Sequence, residues 1–121
     1  MTSVTAEQAT AAPQHGWAAI CWYGDLQAER GAAALIGQLQ VAVFRTFDGS
    51  LYAIGNQDPF TGAFVLSRGI VGSRAEIPTV ASPLHKQVFD LRTGACLDDP
   101  AVAVPAFQVR VRNGLVEVMP G

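Results

Sequence analysis

Cysteine, histidine and charge are all scarce in this chain of 121 residues, which has two cysteines, two histidines and 15% charged side chains. With a net charge of −2, it offers no basic field to draw in a phosphate backbone, so nucleic acid is not an expected partner. Two cysteines are too few for the disulfide framework of a small secreted domain, and Cys21 and Cys96 are expected to stay reduced. No run reaches the roughly 18 apolar residues that span a bilayer. The opening, MTSVTAEQATAAPQHG, lacks both the positive start and the continuous apolar stretch of a signal peptide. Residues 1–15 are therefore expected to be a flexible tail, 16–121 a single domain, and the location cytoplasmic, with no membrane contact. Nor does an amphipathic helix longer than one or two turns appear anywhere, which excludes a helical bundle.

What the chain does have is apolar strand material. Half of its residues are hydrophobic, and a domain of this size buries about 65% of its unfolded surface. WAAICWY, bounded by Gly16 and by Gly24-Asp25, predicts a first strand, and GAAALIG a second. QLQVAVFRTFDGSLYAI contains Asp48-Gly49, a strong turn dipeptide between apolar runs, and predicts a hairpin from Gln40 to Ile54. The following GNQDPFTGAFVLSRGIVGSR, rich in Gly, Asn, Asp and Pro, reads as a long loop with at most a helical turn at Ala63 to Ser67. EIPTVAS and KQVFDL predict further strands. FQVRVRNGLVEV predicts a closing hairpin about Asn113-Gly114, with Val109, Val111, Leu115, Val116 and Val118 beside the turn and Arg110 and Arg112 in solvent. Many short strands with frequent turns make the fold class all-β, a β-sandwich or small barrel. The aromatic residues Trp17, Trp22, Phe44, Phe47 and Phe89 are expected to pack in the core or along strand edges.

Two loops stand out, DPFTGA and SPLHKQVFDLRTG, each built around a proline. They resemble the ligand loops of the Rieske iron–sulfur domain, C-P-H-x-G-A and C-P-x-H-G, the second followed by F-D-x-x-x-G. The likeness runs over most of the chain after Trp17 and implies a Rieske-like ferredoxin-type fold with the two loops at the former cluster tip. Position by position, Asp58 and Phe60 stand at the first cysteine and histidine, Ser82 and His85 at the second pair. Only His85 keeps a ligand type. A hydroxymethyl is a poor substitute for a thiolate and a phenyl ring has no lone pair, so no cluster and no metal are expected here. The remaining Cys21, Cys96 and His15 are not spaced as chelating pairs.

NQDPF, SPLHKQ and VLSRGI are further similar to the small-subunit family of assimilatory NAD(P)H-dependent nitrite reductases. That resemblance implies a subunit of an oxidoreductase, non-catalytic by itself and without a cofactor of its own. Its partner would be a large subunit that carries siroheme, an iron–sulfur cluster, FAD and the NAD(P)H site and reduces nitrite to ammonium in nitrate and nitrite assimilation. Two other readings stand beside it: a Rieske-type [2Fe-2S] electron-transfer ferredoxin with rearranged ligands, and a stand-alone β-domain interaction module.

Local chemistry gives each position a structural role as well. The Asp58 carboxylate can accept N–H bonds from Phe60 or Thr61 in an Asx turn, Ser82 can do the same in the second loop, and His85 is expected to make one hydrogen bond. Phe60 and Leu84 are expected to fill the space a cluster would take. Lys86 stands where the Rieske pattern has glycine. With Arg68 and Lys86 as a basic rim, Phe60, Arg68, Leu84, His85 and Lys86 form the expected docking surface.

Overall fold

The computed structural model describes residues 16–120. The tail expected over 1–15, His15 included, lies outside the described residues. Among those described are nine strands: β1 (Ala18–Trp22), β2 (Arg30–Ile36), β3 (Leu39–Arg45), β4 (Leu51–Gly55), β5 (Ile70–Arg74), β6 (Ile77–Ala81), β7 (Val88–Asp90), β8 (Ala106–Arg112) and β9 (Leu115–Met119). They form a six-stranded sheet in the order β1-β9-β8-β4-β3-β2 and a three-stranded sheet β5-β6-β7, with every strand pairing antiparallel.

The run Val41 to Phe44 shows how the two sheets are joined. All four residues are buried, because successive side chains of a strand point to opposite faces and both faces of β3 are covered. Val41 and Val43 enter a core with Ala18, Ile20, Ala32, Ala34, Val116 and Val118, around which the larger sheet curls. Ala42 and Phe44 enter a second core with Leu66, Val80, Phe89, Leu91 and Cys96, where the smaller sheet covers β3 and β4. Several alanines at the interior positions of the first core let its strands close on a short radius.

Both predicted hairpins are present. Arg112 pairs with Leu115, and the two residues between them, Asn113 and Gly114, have φ of 53° and 80°, as a two-residue primed turn demands. Between β3 and β4 the connection is longer, five residues, since Arg45 pairs with Leu51. Asp48 closes it by accepting from the Thr46 hydroxyl (2.5 Å) and the Ser50 N–H (3.0 Å).

Three expectations about the fold need correction. The stretch expected as a long loop holds a 3-10 turn at Leu66–Arg68 and the strand β5, which pairs with β6 from Ile70↔Ala81 to Arg74↔Ile77. Its signal was hidden because β5 leaves all but Val71 exposed, so no apolar alternation marks it. Trp22, although exposed, lies on the edge strand β1 as expected, whereas Phe47 is 82% exposed in the connection between β3 and β4 and packs in neither place. Arg110 is half-buried, not free in solvent: its guanidinium pairs with Glu117 at 2.7 Å and lies 4.0 Å over the Trp17 ring. Among the described residues no helix is long and apolar enough to cross a membrane.

Candidate functional site

Asp58 opens a six-residue loop that closes on its own backbone. Its N–H donates to Ala63 O (2.8 Å), its carbonyl accepts from Gly62 N–H (2.8 Å), and its carboxylate accepts from Phe60 N–H (2.8 Å). Ser82 repeats the pattern: N–H to Gln87 O (2.9 Å), carbonyl from Lys86 N–H (3.0 Å), hydroxyl oxygen from Leu84 N–H (3.3 Å). Asp90 makes it a third time, with Ala95, Gly94 and Arg92 at 2.8, 2.7 and 2.8 Å. In each loop the fifth residue takes a positive φ: Gly62 (79°), Lys86 (62°) and Gly94 (80°). The first and third loops also share a threonine, Thr61 or Thr93, whose hydroxyl accepts from the N–H two residues on at 3.2 Å. The third copy, DLRTGA, escapes a reading organised by metal-ligand positions. Its signal is the shared D-x-x-T-G-A.

The first two loops are fastened to each other. Ser82 Oγ donates to Asp58 Oδ2 at 2.5 Å, and Asp58 and Ser82 are 0% and 1% exposed. A carboxylate withdrawn from water in this way needs its bonds, and Phe60 N–H and the Ser82 hydroxyl supply them. Thus the Asx turn expected at Asp58 is present, together with a cross-loop bond that was not foreseen. The expected filling of the gap by Phe60 and Leu84 is not: both are exposed, and the polar pair holds that place. Phe60 instead leans on the buried Phe89, ring centroids 6.4 Å apart.

Asn56 anchors the segment that follows the first loop, a role the sequence did not suggest. It is buried, its Nδ2 donates to Gln40 Oε1 (3.2 Å), and its Oδ1 accepts from Ser67 N–H (2.8 Å), tying the 3-10 turn to the larger sheet. Of the five residues expected to form a docking surface, Phe60, Leu84, His85 and Lys86 sit exposed on the two fastened loops. Arg68 is exposed on the 3-10 turn, where it lines a hollow with Arg30 and Ile70. The His85 side chain, expected to make one hydrogen bond, has no such partner among the described residues.

Electrostatics at the third loop are settled by Arg92. Burial disfavours the charged form of Asp90, but hydrogen bonds from the Arg92 guanidinium and N–H, with the positive charge itself, outweigh it and hold the carboxyl below its ordinary value. The pair meets at 3.0 Å. Cys21 and Cys96 are buried free thiols in different cores. Burial, helped by the negative charge of Asp25, pushes the Cys21 thiol up to about 11.

A family model described as the Rieske-like [2Fe-2S] domain matches residues 16–119. The chain belongs to this family. Among its relatives is the Escherichia coli K12 protein named nitrite reductase (NADH) small subunit, 41% identical over 103 residues, a match covering 84% of this chain and 95% of the relative. A crystal structure of a Mycobacterium tuberculosis protein assigned as an NADH-dependent nitrite reductase small subunit superposes with a TM-score of 0.82. It is 49% identical, with 84% of this chain and 92% of that one covered. A Klebsiella oxytoca protein named nitrite reductase [NAD(P)H] large subunit matches at 42% over 108 residues, covering 89% of this chain but only 11% of that longer protein.

The family description invites a test of whether this Rieske-like domain fits a [2Fe-2S] cluster, which takes two thiolates on one iron and two imidazoles on the other. Asp58 and Ser82 spend their side-chain oxygens on each other and on backbone N–H groups of their own loops. Phe60 offers no donor atom, and the thiols lie in two separate cores, neither on these loops. Among the described residues no three His, Cys, Asp or Glu side chains gather where they could hold a metal ion. The residues present do not fit the cluster.

Proposed function

We propose that this chain is the small subunit of a cytoplasmic NAD(P)H nitrite reductase, holding no cofactor itself and acting by binding the large subunit. On this reading the large subunit carries siroheme, an iron–sulfur cluster, FAD and the nicotinamide site, and turns nitrite into ammonium. The observation that carries it is the buried Asp58–Ser82 hydrogen bond, which occupies the place of two cluster ligands with a polar clasp. A domain related at 41% identity to a named small subunit keeps the form of an electron carrier while its ligand set is spent on holding two loops together.

The fastened loops then serve as a docking tip. Phe60 and Leu84 supply apolar anchors, Lys86 and, on the adjoining turn, Arg68 a basic rim, and His85 a polar side chain beside them. Exposed aromatic and aliphatic anchors among orienting charges are what an interface centre uses. The Klebsiella oxytoca relative supports the partnership, because there the matched segment forms part of a protein named as the large subunit.

The test is purification of the tagged chain with its large subunit, with iron analysis and a visible spectrum of the chain alone. Co-purification and a colourless, iron-free chain are expected. A coloured chain with two irons per polypeptide removes the cofactor-free reading. Phe60→Asp combined with Leu84→Asp is expected to abolish co-purification while the isolated domain keeps its fold, and unchanged association removes the docking tip.

A further inference from the structure

β1 forms one edge of the six-stranded sheet and pairs with β9, whose other neighbour is β8. Residues paired across an antiparallel ladder point to the same side, and so do residues two apart along a strand. Trp22, Leu115 and Arg112 therefore make one row, and Ala19, Glu117 and Arg110 the next. The rows face away from the first core, because Leu115 and Glu117 alternate with Val116 and Val118, which are buried in it. Trp22 is 55% exposed. Trp17 lies on the same face, its ring beneath the Arg110 guanidinium that Glu117 holds.

Both tryptophans of the chain thus stand on one face, beside two arginines and a leucine. Interface centres are enriched in tryptophan and arginine, and truncating such anchors costs the most binding energy. The described residues also start and stop here. Ala18 pairs with Val118, and a Cβ on Gly16 would stand 2.6 Å from Met119 Sδ. In the Klebsiella oxytoca relative the matched segment forms 11% of a protein named as the large subunit, so at least one of its ends continues into the rest of that protein. In a domain folded like this one, either end leaves from this corner. The remaining body is tethered there, and the surfaces nearest a tether have the shortest span to close.

We propose that the large subunit covers the outer face of β1, β9 and β8, with Trp22 as the central anchor. Gly114 lies against one side of the Trp22 ring, and burying the exposed remainder in a partner supplies the hydrophobic gain that a surface indole forgoes. The guanidinium stacked on Trp17 holds that ring in place, so this part of the face is preorganised and loses little rotamer freedom on binding. The inference rests on the small-subunit reading. It names a surface apart from the docking tip, for these strands enclose the first core, whereas Phe60 leans on Phe89 in the second.

Hydroxyl-radical footprinting of the whole chain, alone and with the purified large subunit, tests it by reading the oxidation of each tryptophan. Trp22 is expected to be oxidised at least about fivefold more slowly in the complex, and Trp22→Glu to weaken binding by more than about tenfold. Trp22→Ala removes the anchor without adding charge and is expected to weaken binding too; far-ultraviolet circular dichroism checks that both variants fold. A complex that forms with unchanged oxidation of Trp22 and undiminished affinity of both variants overturns this face alone, and Phe60 oxidation in the same samples reports on the tip separately. Protection of Trp22 that appears without the large subunit and grows with protein concentration overturns it in favour of self-association. Failure of any complex to form overturns the small-subunit reading, and the face with it.

Discussion

The Ser82 hydroxyl reaches the Asp58 carboxylate across 24 residues of chain, in a place shielded from solvent. Replacing Ser82 by alanine leaves a buried carboxylate short of a donor and is expected to cost about 1–3 kcal/mol. Urea denaturation measures it. The double variant Asp58→Ala with Ser82→Ala is expected to lose less than the sum of the single losses, because both remove the same bond.

Lys86 and Gly94 occupy equivalent positions and should respond in opposite directions. A side chain in the left-handed region costs about 1–2 kcal/mol, and glycine gives back about 0.5–1 kcal/mol through unfolded-chain entropy. Lys86→Gly is therefore expected to stabilise the domain by about 0.5 kcal/mol. Gly94→Ala meets the same backbone strain and also places its Cβ 2.0 Å from Val104 O. A loss of at least about 2 kcal/mol is expected, read from thermal melts.

Asp90 sets an acid limit. Its carboxyl is depressed in the folded state, so between the unfolded and folded values the unfolded chain binds the extra proton. The stability it supplies is whole above the ordinary aspartate range near 4 and falls away as pH drops through the folded value. Arg92→Ala is expected to flatten this part of the stability–pH curve and leave the neutral-to-alkaline part in shape.

At the alkaline end Cys21 acts in the opposite sense. The folded state keeps its thiol protonated to about 11, whereas an unfolded thiol ionises near 8.5. Stability is complete below that lower value and is lost as pH rises from there toward about 11, a slope that Cys21→Ala removes. Both thiols are also expected to resist alkylation at pH 8 until denaturant is added, since both side chains are buried out of the reagent's reach.

Much of this fold is legible from local signals. Asp48-Gly49 and Asn113-Gly114 place two hairpins, and the apolar runs Ile20–Trp22 and Val41–Phe44 place strands, because turn chemistry and side-chain period act over a few residues. β5 is not legible, since its pairing with β6 is backbone to backbone and its side chains face water. The same limit governs the site. An Asx turn at Asp58 follows from one aspartate and the residues after it, but its bond to Ser82 depends on how two distant loops are brought together. Asn56 is hidden for that reason too: its partners, Gln40 and Ser67, lie on separate elements.

Each of the three loops closes on hydrogen bonds from its own main chain, with a glycine or Lys86 absorbing the sharp bend. The contour of this end of the molecule is thus complete once the polypeptide has folded. On the cofactor-free reading proposed above, no maturation machinery has to deliver an inorganic group before this end takes shape, and a cell short of iron still turns it out finished.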